Sequence, residues 1–126
     1  GLIAEHGIAW LLPRLIGEAK ALDLLLSARI FKGVEAEILG LVNKSLSAEE
    51  LEDFVENYTK HLVERVSPRS MTIMKRQIRA GYSQTFSKSL EIADKEMFLS
   101  FEQDDFKEGV ESFIENRAPK FRGIGT

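Results

Sequence analysis

Cysteine is absent and only two histidines are present. The first absence excludes disulfides, thiolate zinc sites and cysteine nucleophiles. His6 and His61 lie too far apart for metal-ligand spacing, so no metal site is expected. Long apolar runs are missing as well. Stretches such as Ile8 to Leu12 and Leu24 to Leu26 fall far short of the roughly 20 residues a membrane helix requires. Gly1-Leu-Ile-Ala has no basic flank and Glu5 interrupts it early, so it does not read as a signal peptide. Clustered basic charge is scarce: the formal net charge is -3, the pI is about 5.5, and only Arg117, Lys120 and Arg122 gather near the C-terminus. Neither a nucleic-acid nor a membrane-surface partner is expected from that pattern. A chain without cysteine fits a reducing compartment, and the expected location is cytoplasmic.

What is present is an ordinary globular composition, 44% hydrophobic and 29% charged over 126 residues. That length predicts a single domain with a modest core, small for enclosing a bulky ligand. The chain opens on glycine and runs directly into apolar residues with no cap or linker, whereas domain boundaries favour polar, flexible stretches. It reads as a cut through something larger.

Helical periodicity dominates from Ala19 onward. Leu22, Leu25 and Leu26 share a face, and Val34 to Leu39 ends at Gly40, suited to a left-handed cap. Leu41-Val42 reads as a brief strand or extended connector. Ser47 and Glu50 form a capping box ahead of Leu51, Phe54, Val55, Tyr58 and Leu62. Ser67-Pro68 starts a further helix with Met71, Met74 and Ile78 as its buried side and Gly81 at its end. Phe86, Leu90, Ala93, Met97 and Phe101 make another face. Asp105 and Glu108 read as a capping pair for a last helix carrying Phe106, Val110, Phe113 and Ile114, stopped by Pro119. The tail 120–126 reads as loosely ordered. The fold class is mainly α: five to six short helices with at most one short strand. Ile92, Phe98 and Leu99 exceed what one stripe needs. They point to a second burial surface, on a partner subunit, on a missing part of the same chain, or within a helix covered on two sides.

Five segments carry a family resemblance. Gly1 to Gly17 contains Glu-His-Gly at Glu5 to Gly7, then Trp10-Leu-Leu-Pro-Arg-Leu-Ile; Ala21 to Phe31 follows as a helix. Glu35-Ala-Glu-Ile-Leu-Gly-Leu-Val-Asn43 has an A-x-x-x-G-L-V turn, and Ser67-Pro-Arg-Ser-Met-Thr-Ile-Met-Lys75 an S-P-x-S helix ending in lysine. Asp105-Phe-Lys-Glu-Gly-Val-Glu-Ser-Phe-Ile-Glu-Asn-Arg117, with Pro119, Phe121 and Gly123, completes the set. In this order and spacing they resemble the C-terminal half of the crotonase (enoyl-CoA hydratase/isomerase) superfamily.

The resemblance implies acyl-CoA thioester substrates and an enolate-type intermediate held by two backbone N–H groups. Those donors, the adenine-binding segment and the first catalytic glutamate belong to the N-terminal half of the family, so the chain is expected to be inactive alone. Coenzyme A would be part of the substrate, and no separate cofactor is implied. The resemblance divides the single domain into the end of the core region (1–45) and a helical trimerisation region (46–126). It also implies self-association, as a trimer or a domain-exchanged dimer.

Glu5 is the catalytic candidate, a carboxylate able to act as acid or base if burial raised its pKa. Against that stands a solvent-exposed glutamate at a frayed end. His6 is a substrate contact or a local backbone partner, and Trp10 an acyl-pocket wall or core. Met97 and Phe98 cap the pocket in the resemblance, or are plain packing. Lys120, with Arg117 and Arg122, would meet CoA phosphates or form a solvated tail. Asn116 departs from the lysine that hydratases commonly carry there, which weakens the phosphate reading. The alternative function is a free-standing helical oligomerisation module without catalysis.

Overall fold

The computed structural model describes residues 1–123; the expectation for the tail at 124–126 lies outside the described residues. Seven helices run in order: α1 Ile8–Ile16, α2 Glu18–Ser27, α3 Gly33–Leu39, α4 Ala48–Arg65, α5 Pro68–Gly81, α6 Phe86–Phe101 and α7 Asp104–Ile114. The mainly α class holds. The count of five to six falls short by α1, although Ile8, Leu11, Leu12, Leu15 and Ile16 recur there at i, i+3, i+4, i+7 and i+8. Among the described residues there is no strand. The Leu41 and Val42 N–H groups instead fold back onto the Ala36 carbonyl at 2.8 and 3.4 Å, as a Schellman closure that leaves nothing to offer a sheet. Gly40, at φ 83°, makes that turn possible.

Two compact units divide within α4, one covering Gly1–Asp53 and the other beginning at Phe54. In the first, α1 packs on α2 around buried Leu12, Ile16, Ala21 and Leu24, with Phe31, Leu39 and Leu41 partly buried against them. The loop after α3 is pinned by Glu37, whose carboxylate accepts from Lys44 Nζ and from the Ser45 N–H, both at 2.8 Å. These donors hold the Glu37 carboxyl below its usual pKa, Lys44 first. The capping box forms as read: the Glu50 N–H donates to Ser47 Oγ, and the Ser47 N–H to the Glu50 carboxylate.

In the second unit α5 packs on α6 and α6 on α7. The expected buried faces are corrected here. Met74 and Ile78 are 48% and 68% exposed, and Phe86, Leu90, Met97 and Phe101 are exposed too. The residues that α5 and α6 turn inward are Ile73 and Gln77 against Ile92, Ala93, Glu96 and Ser100. This seam is partly polar: Arg69 and Arg76 bracket the mostly buried Glu96 carboxylate, and Arg69 donates to Ser100 Oγ at 2.7 Å.

The pair is therefore assembled through a partly polar seam, with Met74 and Met97 at its edge, and leaves Ile78, Phe86, Leu90 and Phe101 largely exposed. The accessible surface measures 10244 Å². A single globule of 14.2 kDa would expose about 6,800 Å², and two separate globules sharing that mass about 8,200 Å². About 2,000 to 3,400 Å² of additional surface, much of it apolar, is uncovered.

Candidate functional site

Glu5, His6 and Gly7 form a tight turn. The Ile8 N–H donates to the Glu5 carbonyl at 3.0 Å, and His6 and Gly7 take φ of 52° and 78°. Two successive positive φ values are the type I′ pattern, which glycine accepts freely and histidine better than most residues. Gly7 then caps α1, its carbonyl accepting from the Leu11 N–H at 3.1 Å. The Glu-His-Gly motif is thus a device for turning into α1, and it leaves the Glu5 and His6 side chains exposed. Trp10 is half exposed, not core: the Arg14 guanidinium lies 3.9 Å from its ring centroid and donates to the Trp10 carbonyl at 2.7 Å.

The other candidates belong to the second unit. Met97 lines a hollow of about 380 Å³ with Ile73, Met74, Gln77 and Ala93. Phe98 is exposed and meets Phe101 edge-on at 6.2 Å, the first step of a ring chain that continues to Phe106 at 5.1 Å. Lys120 is exposed, and its charge helps to lower the Glu108 pKa. Glu5, His6 and Trp10 share one local turn-and-helix; Met97 and Phe98 are neighbours on α6, and Lys120 stands apart from them on the tail.

The clearest geometry was missed in sequence. Ser67, buried, accepts from the Ser70 N–H at 3.0 Å as the α5 cap and donates to Asp105 Oδ2 at 2.5 Å. Glu108 accepts a two-pronged contact from Arg117 at 2.5 and 3.1 Å, and the Lys120 N–H at 2.6 Å. Asp105 and Glu108 are therefore not the capping pair expected for α7, because each carboxylate is committed to a distant partner. Arg117, also paired with Glu115, is engaged within the chain and is not a free phosphate ligand. Phe121 approaches Gly109, where an added Cβ would already touch its ring at 4.0 Å. The start of the tail is latched at Lys120 and Phe121, contrary to the loose order expected there. Beside it lies an open groove of about 510 Å³ walled by Phe106, Val110, Phe113 and Phe121, with Arg69 and Asp105 as its charges. Among the described residues no three His, Asp or Glu side chains converge as a metal site.

Arg117, and then the Lys120 N–H, hold the Glu108 carboxyl at a pKa of about 2, against 4.5 for the free group. A depressed folded-state pKa gives stability that is complete above the unfolded value and lost as pH falls through the folded one. The latch should therefore hold above about pH 4.5 and open as pH drops toward 2. Exchange protection of the Lys120 amide, followed by NMR, should fall across that window in the parent chain and be weak at all pH in Glu108→Gln.

Residues 1–124 match the family model described as enoyl-CoA hydratase/isomerase. The chain belongs to that family. It is 35% identical over 126 residues to a probable enoyl-CoA hydratase of Bacillus subtilis, covering 98% of this chain and 48% of that protein. A 1,2-epoxyphenylacetyl-CoA isomerase of Escherichia coli is 28% identical, with 98% and 47% covered. The crystal structure of a probable enoyl-CoA hydratase/isomerase from Mycobacterium abscessus superposes with a TM-score of 0.88 at 26% identity, over 98% of this chain and 50% of that one. The chain spans about half the length of these relatives. The family's terminal motif is a mechanical part here, since Asp105, Glu108, Gly109, Arg117 and Phe121 fasten α7 and the tail.

Proposed function

We propose that this chain is the C-terminal portion of an enoyl-CoA hydratase/isomerase acting on acyl-CoA thioesters through an enolate-type intermediate, and that it is inactive alone. The observation that carries the reading is the match over residues 1–124 together with relatives of about twice the length. Oxyanion stabilisation by backbone donors is a large catalytic term, and loss of even one donor costs about 100- to 1000-fold. The resemblance assigns both donors to the half of the fold that this chain does not span. In the completed site Glu5 would exchange a proton at the acyl Cα or Cβ. The exposed turn leaves its carboxylate accessible for that role once a covering partner desolvates it. His6 and Trp10 would line the same approach, while Met97 and Phe98 would close over the acyl group and Lys120 would meet CoA phosphate.

The purified chain, mixed with a short 2-enoyl-CoA and followed by loss of the conjugated thioester absorbance, should hydrate it at least about 1000-fold more slowly than the intact Bacillus subtilis relative. Turnover near the intact rate would overturn the proposal.

A second reading, a self-associating helical module without catalysis, is favoured by the outward apolar stripes of α4, α5 and α6. The two readings agree that the chain self-associates and differ in whether supplying the other half of the fold creates activity.

A further inference from the structure

The short connection 82–85 joins one end of α5 and α6, and Arg69 meets Ser100 at the other, so the two helices run antiparallel. Neither helix contains a buried residue. The apolar part of their seam is small: Ile73 and Ala80 on α5, Ile92 and Ala93 on α6, with Met74 and Met97 half exposed at its edge.

Charge occupies the middle of the seam. The Glu96 side chain, only 16% exposed, offers one carboxylate oxygen to Arg76 and the other to Arg69 Nη2 at 3.4 Å. Arg69 also donates to Ser100 Oγ at 2.7 Å, and that hydroxyl donates to the Glu96 carbonyl at 2.6 Å, so Arg69 is held twice on the same stretch of α6. The two arginines stand about two turns apart on α5, and both reach the one carboxylate. α5 has four cations and no acid. Of the acids on α6, Glu91 pairs with Lys88 of its own helix and Asp94 is exposed; among the described residues Glu96 alone makes an ion pair with α5.

We propose that Glu96 is a charge clasp: its carboxylate, more than apolar packing, keeps the α5–α6 hairpin shut, and loss of that single charge releases the two helices from each other. Without it, two guanidinium groups face a partly dehydrated seam with no counter-charge. Leaving a charge uncompensated in such a place costs more than the intact pair contributes. Solvent reaches the Arg76 side chain, which is 59% exposed, so the effect is smaller than for a fully enclosed pair. Ser67 and Asp105 tie α5 to α7 independently, and a released α5 keeps that tie while parting from α6. The clasp thus makes the α5–α6 contact a part of the second unit that opens locally.

Amide hydrogen exchange of the 126-residue chain, read residue by residue by NMR, tests this. Glu96→Gln should lower the protection of the α5 and α6 amides about tenfold and leave those of α1 and α2, in the other unit, unchanged. Glu91→Gln removes the same charge from the same helix without touching α5, and should keep protection within about twofold of the parent. Glu96→Arg combined with Arg69→Glu and Arg76→Glu reverses every charge of the clasp and should restore protection toward the parental level. That reversal separates a lost attraction from a helix that merely tolerates no change at Glu96. Unchanged protection in Glu96→Gln, an equal loss in Glu91→Gln, or a reversed clasp that stays open would each overturn the proposal.

Discussion

Leu12→Ala should unfold the first unit under conditions in which the parent chain keeps it folded. Leu12 sits with Ile16, Ala21 and Leu24 in a core of only four buried residues. Truncating a buried leucine costs about 2–5 kcal/mol through lost transfer energy and the cavity left behind. A unit of this size has little stability to spare, since small domains bury a small fraction of their surface. Trp10 is the sole tryptophan and lies on α1, so its fluorescence during urea unfolding reports this unit alone. Leu15, 47% exposed on the same helix, is the control. Leu15→Ala should cost well under about 1.5 kcal/mol in the isolated chain. Equal losses at the two positions would show that α1 packs by a different face.

Ser67→Ala should produce the largest single loss in the second unit, about 2 kcal/mol. Half arises because the α5 cap on the Ser70 N–H disappears, typically about 1 kcal/mol. The remainder arises because the Asp105 carboxylate, half-buried, loses the hydroxyl that donates to it. Urea unfolding followed at the α5 and α7 amides by NMR should show both helices weakened together. Ser67→Thr should retain most of the stability, since threonine both caps and donates. A loss confined to α5 would mean that the Ser67–Asp105 tie does not join the two helices.

These two sites show what could be read from sequence. The Ser67 cap, the Ser47–Glu50 box and the Gly40 closure were legible because each is settled within a few residues of chain. The partners of Asp105 and Glu108 were not, because Ser67 lies 38 residues from the one and Arg117 nine from the other. Local spacing offered a capping pair instead, and distance in the fold overruled it. The apolar faces went wrong for a different reason. Periodicity reports that Met71, Met74 and Ile78, or Phe86, Leu90 and Phe101, form a stripe meant to be covered. It does not report what covers it. In this chain the inward contacts of α5 and α6 are Ile73, Gln77, Ala93, Glu96 and Ser100, and most of each stripe is exposed. The same holds for α1, whose stripe of Ile8, Leu11, Leu12, Leu15 and Ile16 buries Leu12 and Ile16 and leaves Leu11 and Leu15 exposed. Family membership was legible in five ordered motifs, yet the terminal one proved to fasten the tail, with Arg117 held by Glu108 and so drawn away from any ligand.

The central claim is that the apolar stripes of this half-length family member are association surfaces. Sedimentation equilibrium of the unmodified 126-residue chain over a wide concentration range tests it most directly. The account predicts a reversible, concentration-dependent oligomer of defined stoichiometry. A chain that stays monomeric throughout, with its stripes still open to solvent, would contradict it.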